Sequence, residues 1–153
     1  MDPRRAARYE RMYVQLRGLI EGKAPDLTAA MATICAVLHA KLPHHFWTGF
    51  YLVADDRLHV GPYQGPVACQ VLEGRGACLE SVRTGEPVVV PDVHAFPNHV
   101  ACDARSKSEI VVPILKDGEV VSVLDVDSDR PDQFSIADVE PLKKILSLLQ
   151  PYL

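Results

Sequence analysis

Apolar residues at Tyr9, Met12, Tyr13, Leu16, Leu19 and Ile20 recur at helical spacing with arginines and glutamates between them. That pattern predicts an amphipathic helix over residues of about 4 to 21, ended by Gly22. Pro25-Asp26 opens a second helix whose apolar face carries Leu27, Met31, Ile34, Cys35, Leu38 and Leu42, and Pro43 closes it. From Phe46 the period falls to two. Phe46-Trp-Thr-Gly-Phe-Tyr-Leu-Val53, a turn at Ala54-Asp-Asp56 and a second run from Arg57 to Pro62 form a hairpin. A Gly-rich passage, Leu72 to Ala77, leads to a short helix over residues of about 77 to 84 and a strand at Val88-Val-Val90. Two strong strands follow, Glu109 to Leu115 and Glu119 to Asp127, joined around Lys116-Asp117-Gly118. Ser135 with Asp138 three residues on is a capping-box signal for a last helix, which Pro141 is expected to kink or delay. This order predicts an α+β fold, with helices layered on an antiparallel sheet.

Between residues 91 and 107 the pattern is missing. An irregular stretch of that length inside one domain is more often a working loop than a plain connection. It contains Cys102, set among small and charged residues where a packed structural cysteine has no apolar neighbours. The strand after it carries Glu109, and its partner strand places Asp125 and Asp127 on one face together with Val121 and Val123. A two-residue loop at Asp117-Gly118 would set Glu109 opposite Val126. A three-residue loop at Lys116-Asp117-Gly118 would pair it with Asp125, and that register is the expectation here. Like charges so gathered raise at least one carboxyl pKa and leave a proton donor near neutral pH. The bland alternative is a strand end whose acids are merely hydrated.

Composition narrows the function without naming it. The chain has 153 residues, 48% apolar and 24% charged, which predicts a single domain over 1–153 with its own core. Sixteen basic against 20 acidic residues give a net charge of −4 with no basic block, so nucleic acid is not an expected partner. No apolar run approaches the roughly 18 residues of a membrane span, and the N-terminus leads into a charged amphipathic segment. The expected address is cytoplasmic, with no membrane partner.

In that compartment the four cysteines, at 35, 69, 78 and 102, are by default free, metal-bound or catalytic. Cys35 falls on a helix face and is assigned to the core. Cys69 and Cys78 flank the Gly-rich passage, so three thiols outside the obvious elements point to redox work in which one attacks and another resolves. A zinc site from His94, His99 and Cys102 with a second cysteine is the weaker reading, because the spacing matches no compact pairing. Trp47 and Tyr51, four apart on a strand with Gly49 between them, leave an aromatic-walled recess for a small ligand or for core packing.

Eight pieces occur in order: Phe46-Trp-Thr-Gly-Phe-Tyr-Leu52, Gly61-Pro-Tyr-Gln-Gly65, Val67-Ala-Cys69, Gly74-Arg-Gly-Ala-Cys78, Asp92-Val-His94, His99-Val-Ala-Cys-Asp103, Ser108-Glu-Ile110 and Leu124-Asp-Val-Asp-Ser128. Together they resemble the free methionine-R-sulfoxide reductases, which are single GAF domains. The resemblance implies that Cys102 attacks the sulfoxide sulfur of free methionine-R-sulfoxide and becomes a sulfenic acid. Cys69 or Cys78 then closes a disulfide, which thioredoxin reduces. It implies that Glu109, Asp125 and Asp127 protonate or polarise the leaving oxygen and bind the substrate's ammonium. It implies too that Trp47 and Tyr51 pack the methylthio end, that no metal or organic cofactor takes part, and that the helical layer forms a homodimer. The sequence departs from the family pattern in two places: Cys69 and Cys78 lie one residue closer together, and Leu79 stands where the family has glycine. Both touch the resolving thiol, for which Cys69 is preferred. A GAF module that senses small molecules or redox state without turnover is the main rival, and a zinc-binding or structural role the third.

Overall fold

The structure, a computed structural model, describes every residue except Asn98, Val100 and Ala101. Six strands form one antiparallel sheet: β1 (Trp47–Ala54), β2 (Arg57–Gln64), β3 (Val71–Leu72), β4 (Val88–Val90), β5 (Ser108–Lys116) and β6 (Glu119–Ser128), in the order β3-β2-β1-β6-β5-β4. Three helices cover one face: α1 (Pro3–Ile20), α2 (Leu27–Lys41) and α4 (Val139–Leu146), the last entered by a 3-10 turn at Ile136–Asp138. The fourth, α3 (Ala77–Thr84), packs with Val93 and Phe96 on the other face. Among the described residues no helix is long and apolar enough to cross a membrane.

The sheet thus separates two cores of different character. On the helical side Met12, Leu16 and Ile20 of α1 and Met31, Ile34 and Leu38 of α2 meet Phe50, Ile110, Val112, Leu124 and Val126, all buried. Cys35 belongs to this core, and burial pushes its thiol up to about 12. Leu19, expected on the inner face of α1, is instead 48% exposed, because the buried stripe runs through Tyr9, Met12, Leu16 and Ile20. The α4 end is pinned by the predicted capping box: Ser135 N–H donates to Asp138 Oδ2 at 2.9 Å. Tyr9 Oη also donates to buried Asp138, at 2.9 Å, tying α1 to α4. Pro141 falls in the first turn of α4, where its missing N–H costs no helical bond. Behind β1, Thr48 Oγ1 lies between His39 Nδ1 at 3.2 Å and His45 Nδ1 at 3.1 Å.

The register of the β5–β6 hairpin differs from the expectation. Its loop has two residues, with Lys116 opposite Glu119, and both Asp117 and Gly118 adopt positive φ, 51° and 82°. Such a turn matches the twist of the flanking strands. Left regular, this loop would put Glu109 opposite Val126 and throw it onto the opposite face from Asp125. A bulge intervenes: Leu115 pairs with Val120 but Ile114 with Ser122, so Val121 has no partner. One extra residue on β6 shifts all later pairs, and Glu109 comes opposite Asp127, with Val111 opposite Asp125. The three acids therefore do share a face, by a different pairing. Val121, assigned to the acid face by strict alternation, turns to the helical side, while Val120 takes its place.

Candidate active site

The acid face of β1, β5 and β6 is roofed by α3, by the loop of residues 65–70 and by residues 102–107. A cleft of about 620 Å³, open mouth included, lies beneath them. Trp47, Tyr51, Cys78, Cys102, Glu109, Asp125 and Asp127 all line it. Cys69 joins them covalently, through a disulfide to Cys102 with the two Cα atoms 5.5 Å apart.

Each half of that disulfide is held by a neighbour. Tyr51 Oη donates to the carbonyl of Cys69 at 2.9 Å, fixing the 65–70 loop over the aromatic wall. On the other side, the backbone N–H and side chain of Arg105 grip Asp103 at 2.8–3.0 Å. Arg105 holds the Asp103 carboxyl down to about 2. The same guanidinium lies 4.9 Å from the Phe46 ring centroid, a cation–π contact that rests the turn on the start of β1. Ser106 Oγ donates to Asp127 Oδ1 at 2.6 Å. The motif His99-Val-Ala-Cys-Asp103 includes Val100 and Ala101, which lie outside the described residues.

The acids sit where ionisation is expensive. Glu109 and Asp125 are buried, at 5% and 6% exposure, while Asp127 is partly open at the rim. Burial first, and then the neighbouring carboxylates, push Glu109 well above the ordinary range, and Asp127 likewise. Burial raises Asp125 too, but contacts from Glu109 and Cys78 favour its charged form and oppose that rise. The shifts favour retained protons and belong to the cluster as a whole, since the three groups are coupled. Cys78, in the first turn of α3, is buried against them, and burial followed by the nearby acids drives its thiol far up. A helix N-terminus lowers a thiol pKa in the open. Here desolvation wins, so Cys78 is a neutral thiol and a poor nucleophile.

Trp47 stacks on Tyr51 at 5.8 Å and on Tyr63 at 5.3 Å between ring centroids, a continuous aromatic wall. Gly49 makes it possible. A Cβ there would come under 3.0 Å from Tyr63 Cβ and from two atoms of the Trp47 ring. Gly49→Ala is expected to cost about 1–3 kcal/mol by overpacking, read as a fall in thermal midpoint with a displaced tryptophan emission. An unchanged spectrum would mean that the wall does not depend on this glycine.

All eight residues singled out in the sequence meet at this cleft. The zinc set of His94, His99 and Cys102 does not form, since the Cys102 sulfur is bonded to Cys69 and His94 is exposed. Cys78 Sγ and one carboxylate oxygen each of Glu109 and Asp125 lie within 4.8 Å of one another, and are the donors best placed for an ion. Three contributors fall outside the residues assigned from sequence to the reductase site: His99, considered only as a zinc ligand, Ser106 and Tyr63. The first two lie in the aperiodic loop, where no pattern marks orientation. Tyr63 is brought beside Trp47 by a second irregularity, where Gly61 and Pro62 together face Phe50.

Residues 24–150 match the GAF domain family. Among solved structures, the X-ray structure of free methionine-R-sulfoxide reductase from Neisseria meningitidis in complex with its substrate superposes with a TM-score of 0.92 at 39% identity, covering 97% of this chain and 89% of that one. The free methionine-R-sulfoxide reductase of Escherichia coli is 39% identical over 82% of this chain and 76% of its own length. The chain belongs to the GAF domain family, among the free methionine-R-sulfoxide reductases. GAF domain-containing protein A of Dictyostelium discoideum is 42% identical over 92% of this chain and 89% of its own. Within this GAF domain the helical face is scaffold, and the chemistry-bearing side chains lie on the other.

Proposed function

We propose that this protein reduces free methionine-R-sulfoxide to methionine through Cys102, Cys69 and thioredoxin. The observation that carries the reading is the Cys69–Cys102 disulfide at the mouth of a cleft with an aromatic wall and an acidic floor. In the reduced protein the Cys102 thiolate attacks the sulfoxide sulfur while a protonated acid, Glu109 first among them, gives its proton to the oxygen. The oxygen then passes from the substrate sulfur to the Cys102 sulfur as the bond between the two sulfurs breaks, so methionine departs and Cys102 is left as a sulfenic acid. Cys69 then condenses with it, releasing water and forming the disulfide. Thioredoxin's dithiol returns two electrons and leaves both thiols reduced.

The floor also fits the free amino acid. Asp125, the acid with most support for its charged form, offers a buried Oδ1 with no hydrogen-bond partner among the described residues, suited to a substrate ammonium. Trp47 and Tyr51 pack the methylthio end, and Cys78 serves the floor rather than the resolving step. No metal or organic cofactor is part of this cycle. Residues 1–153 act as one GAF unit in the cytoplasm, as a homodimer through the helical layer, where Val14 and Leu19 leave apolar surface exposed on α1.

The test is incubation with thioredoxin, thioredoxin reductase and NADPH, offering each epimer of free and peptide-bound methionine sulfoxide in turn. NADPH consumption with the free R epimer alone supports the reading. Tight binding of that epimer without turnover would make the protein a sensor instead.

A further inference from the structure

Cys78 is left without a redox part once Cys69 and Cys102 pair, yet it is the most deeply set thiol of the cleft, at 3% exposure. Its sulfur and the carboxylates of Glu109 and Asp125 converge within 4.8 Å of one another. Tetrahedral zinc sets sulfur and oxygen ligands about 3.5 Å apart, so small side-chain rotations close this triad on an ion. Two further observations point to a missing ligand. Asp125 is buried at 6% exposure and lines the cleft, and its Oδ1 has no partner among the described residues. His99 lines the same space with both ring nitrogens buried and unpartnered among the described residues, and its Nδ1 is 3.9 Å from Glu109 Oε2.

We propose that the floor of the cleft is a binding site for a zinc-class divalent cation, held by Cys78, Glu109 and Asp125 with His99 as the fourth donor, and that the ion competes there with the substrate. The donor set, one sulfur, one nitrogen and two oxygens, is one that zinc accepts, and the carboxylates' negative charge is what a dication at their centre neutralises. Binding exchanges protons for metal: the ion enters, and Cys78 and Glu109 release the protons they hold in its absence. Affinity therefore rises with pH. Because Cys69 and Cys102 are not ligands, the oxidised protein binds the ion with their disulfide intact. The metal site stands apart from the reductase reading; only the competition rests on it.

The experiment uses the full chain, oxidised so that Cys69 and Cys102 are bonded, dialysed against Zn2+ and, separately, Co2+. One ion per chain is expected, with a thiolate-to-cobalt charge-transfer band, proton release on addition, and at least tenfold tighter binding for each unit rise in pH near neutrality. Both the ion and the band are expected to disappear in Cys78→Ser and the ion to weaken at least tenfold in Asp125→Asn, with circular dichroism confirming the fold of each variant. Absence of a bound ion, a bound cobalt without the thiolate band, or a band that survives Cys78→Ser would each overturn the site. The band and proton release in the wild-type chain decide the matter should a variant fail to fold. Displacement of Zn2+ by free methionine-R-sulfoxide supports the competition, and retention of the ion at saturating sulfoxide overturns it. Loss of reductase activity in a protein that still binds the ion strikes the functional reading alone.

Discussion

Cys102→Ser is expected to abolish sulfoxide reduction, with a loss of roughly 10⁴-fold or more, because no other thiol in the cleft can replace it as nucleophile. Cys78 shares the cavity, but burial and three carboxyl neighbours keep it protonated. Cys69→Ser separates the steps. With the resolving thiol gone, Cys102 still attacks once, so about one methionine per chain forms in a burst and thioredoxin-supported turnover then stalls. Cys78→Ser leaves Cys69 and Cys102 free to close their disulfide, so oxidation by substrate still removes two thiols per chain. Rapid quench for methionine and thiol titration after one turnover read these three outcomes. Steady thioredoxin turnover in Cys69→Ser would show that Cys69 is not the resolving residue.

The second large effect belongs to Glu109. Glu109→Gln removes a buried acid inclined to hold a proton and is expected to slow reduction on the order of 10²- to 10⁴-fold, the usual weight of general acid catalysis. Its effect on stability has the opposite sign. The folded chain keeps a proton on Glu109 that the unfolded chain loses near the ordinary value of 4.5. The stability linked to it is complete below that pH and is lost as pH rises through the higher folded pKa. The histidines behind β1 act from the other side. Burial, chiefly, holds His44 down to about 4 against an ordinary 6.5, so its contribution is present above 6.5 and lost as pH falls towards 4. The two slopes oppose each other between 4.5 and 6.5, where wild-type stability should be flattest. In Glu109→Gln the alkaline slope flattens while the acid slope stays. Urea unfolding midpoints measured across pH check both, and equal alkaline slopes in the two proteins would mean that Glu109 ionises normally in the fold.

Much of this was legible from periodicity alone. The α3 and β4 spans and the capping box at Ser135 and Asp138 follow from local rules, because each is decided by residues within one or two turns of chain. The acid face was legible too, but its pairing was not. Both turn lengths suited Lys116-Asp117-Gly118, and what decided between them lay several residues away, in whether Val121 joined the ladder. Bulges answer to packing on both faces at once, with Ile114 and Leu124 drawing one way and Val120 and Val123 the other. A one-dimensional pattern holds no record of that competition. The same holds for His99 and Ser106, whose directions are set by loop contacts with Glu109 and Asp127 rather than by any repeat.

The unpartnered position at Val121 also says where this chain tolerates a change of length. A strand shortened by that one residue would close into a regular ladder with Glu109 still facing Asp127. A loss two residues later, at Val123, would close the same regular ladder, with Ser122 taking the vacated place on the acid face; only the loss of both valines would carry the two aspartates through to the helical side, among Phe50, Leu142 and Ile145. One deletion on this strand would thus leave the hairpin with its acids in place, and two would turn its charges inside out.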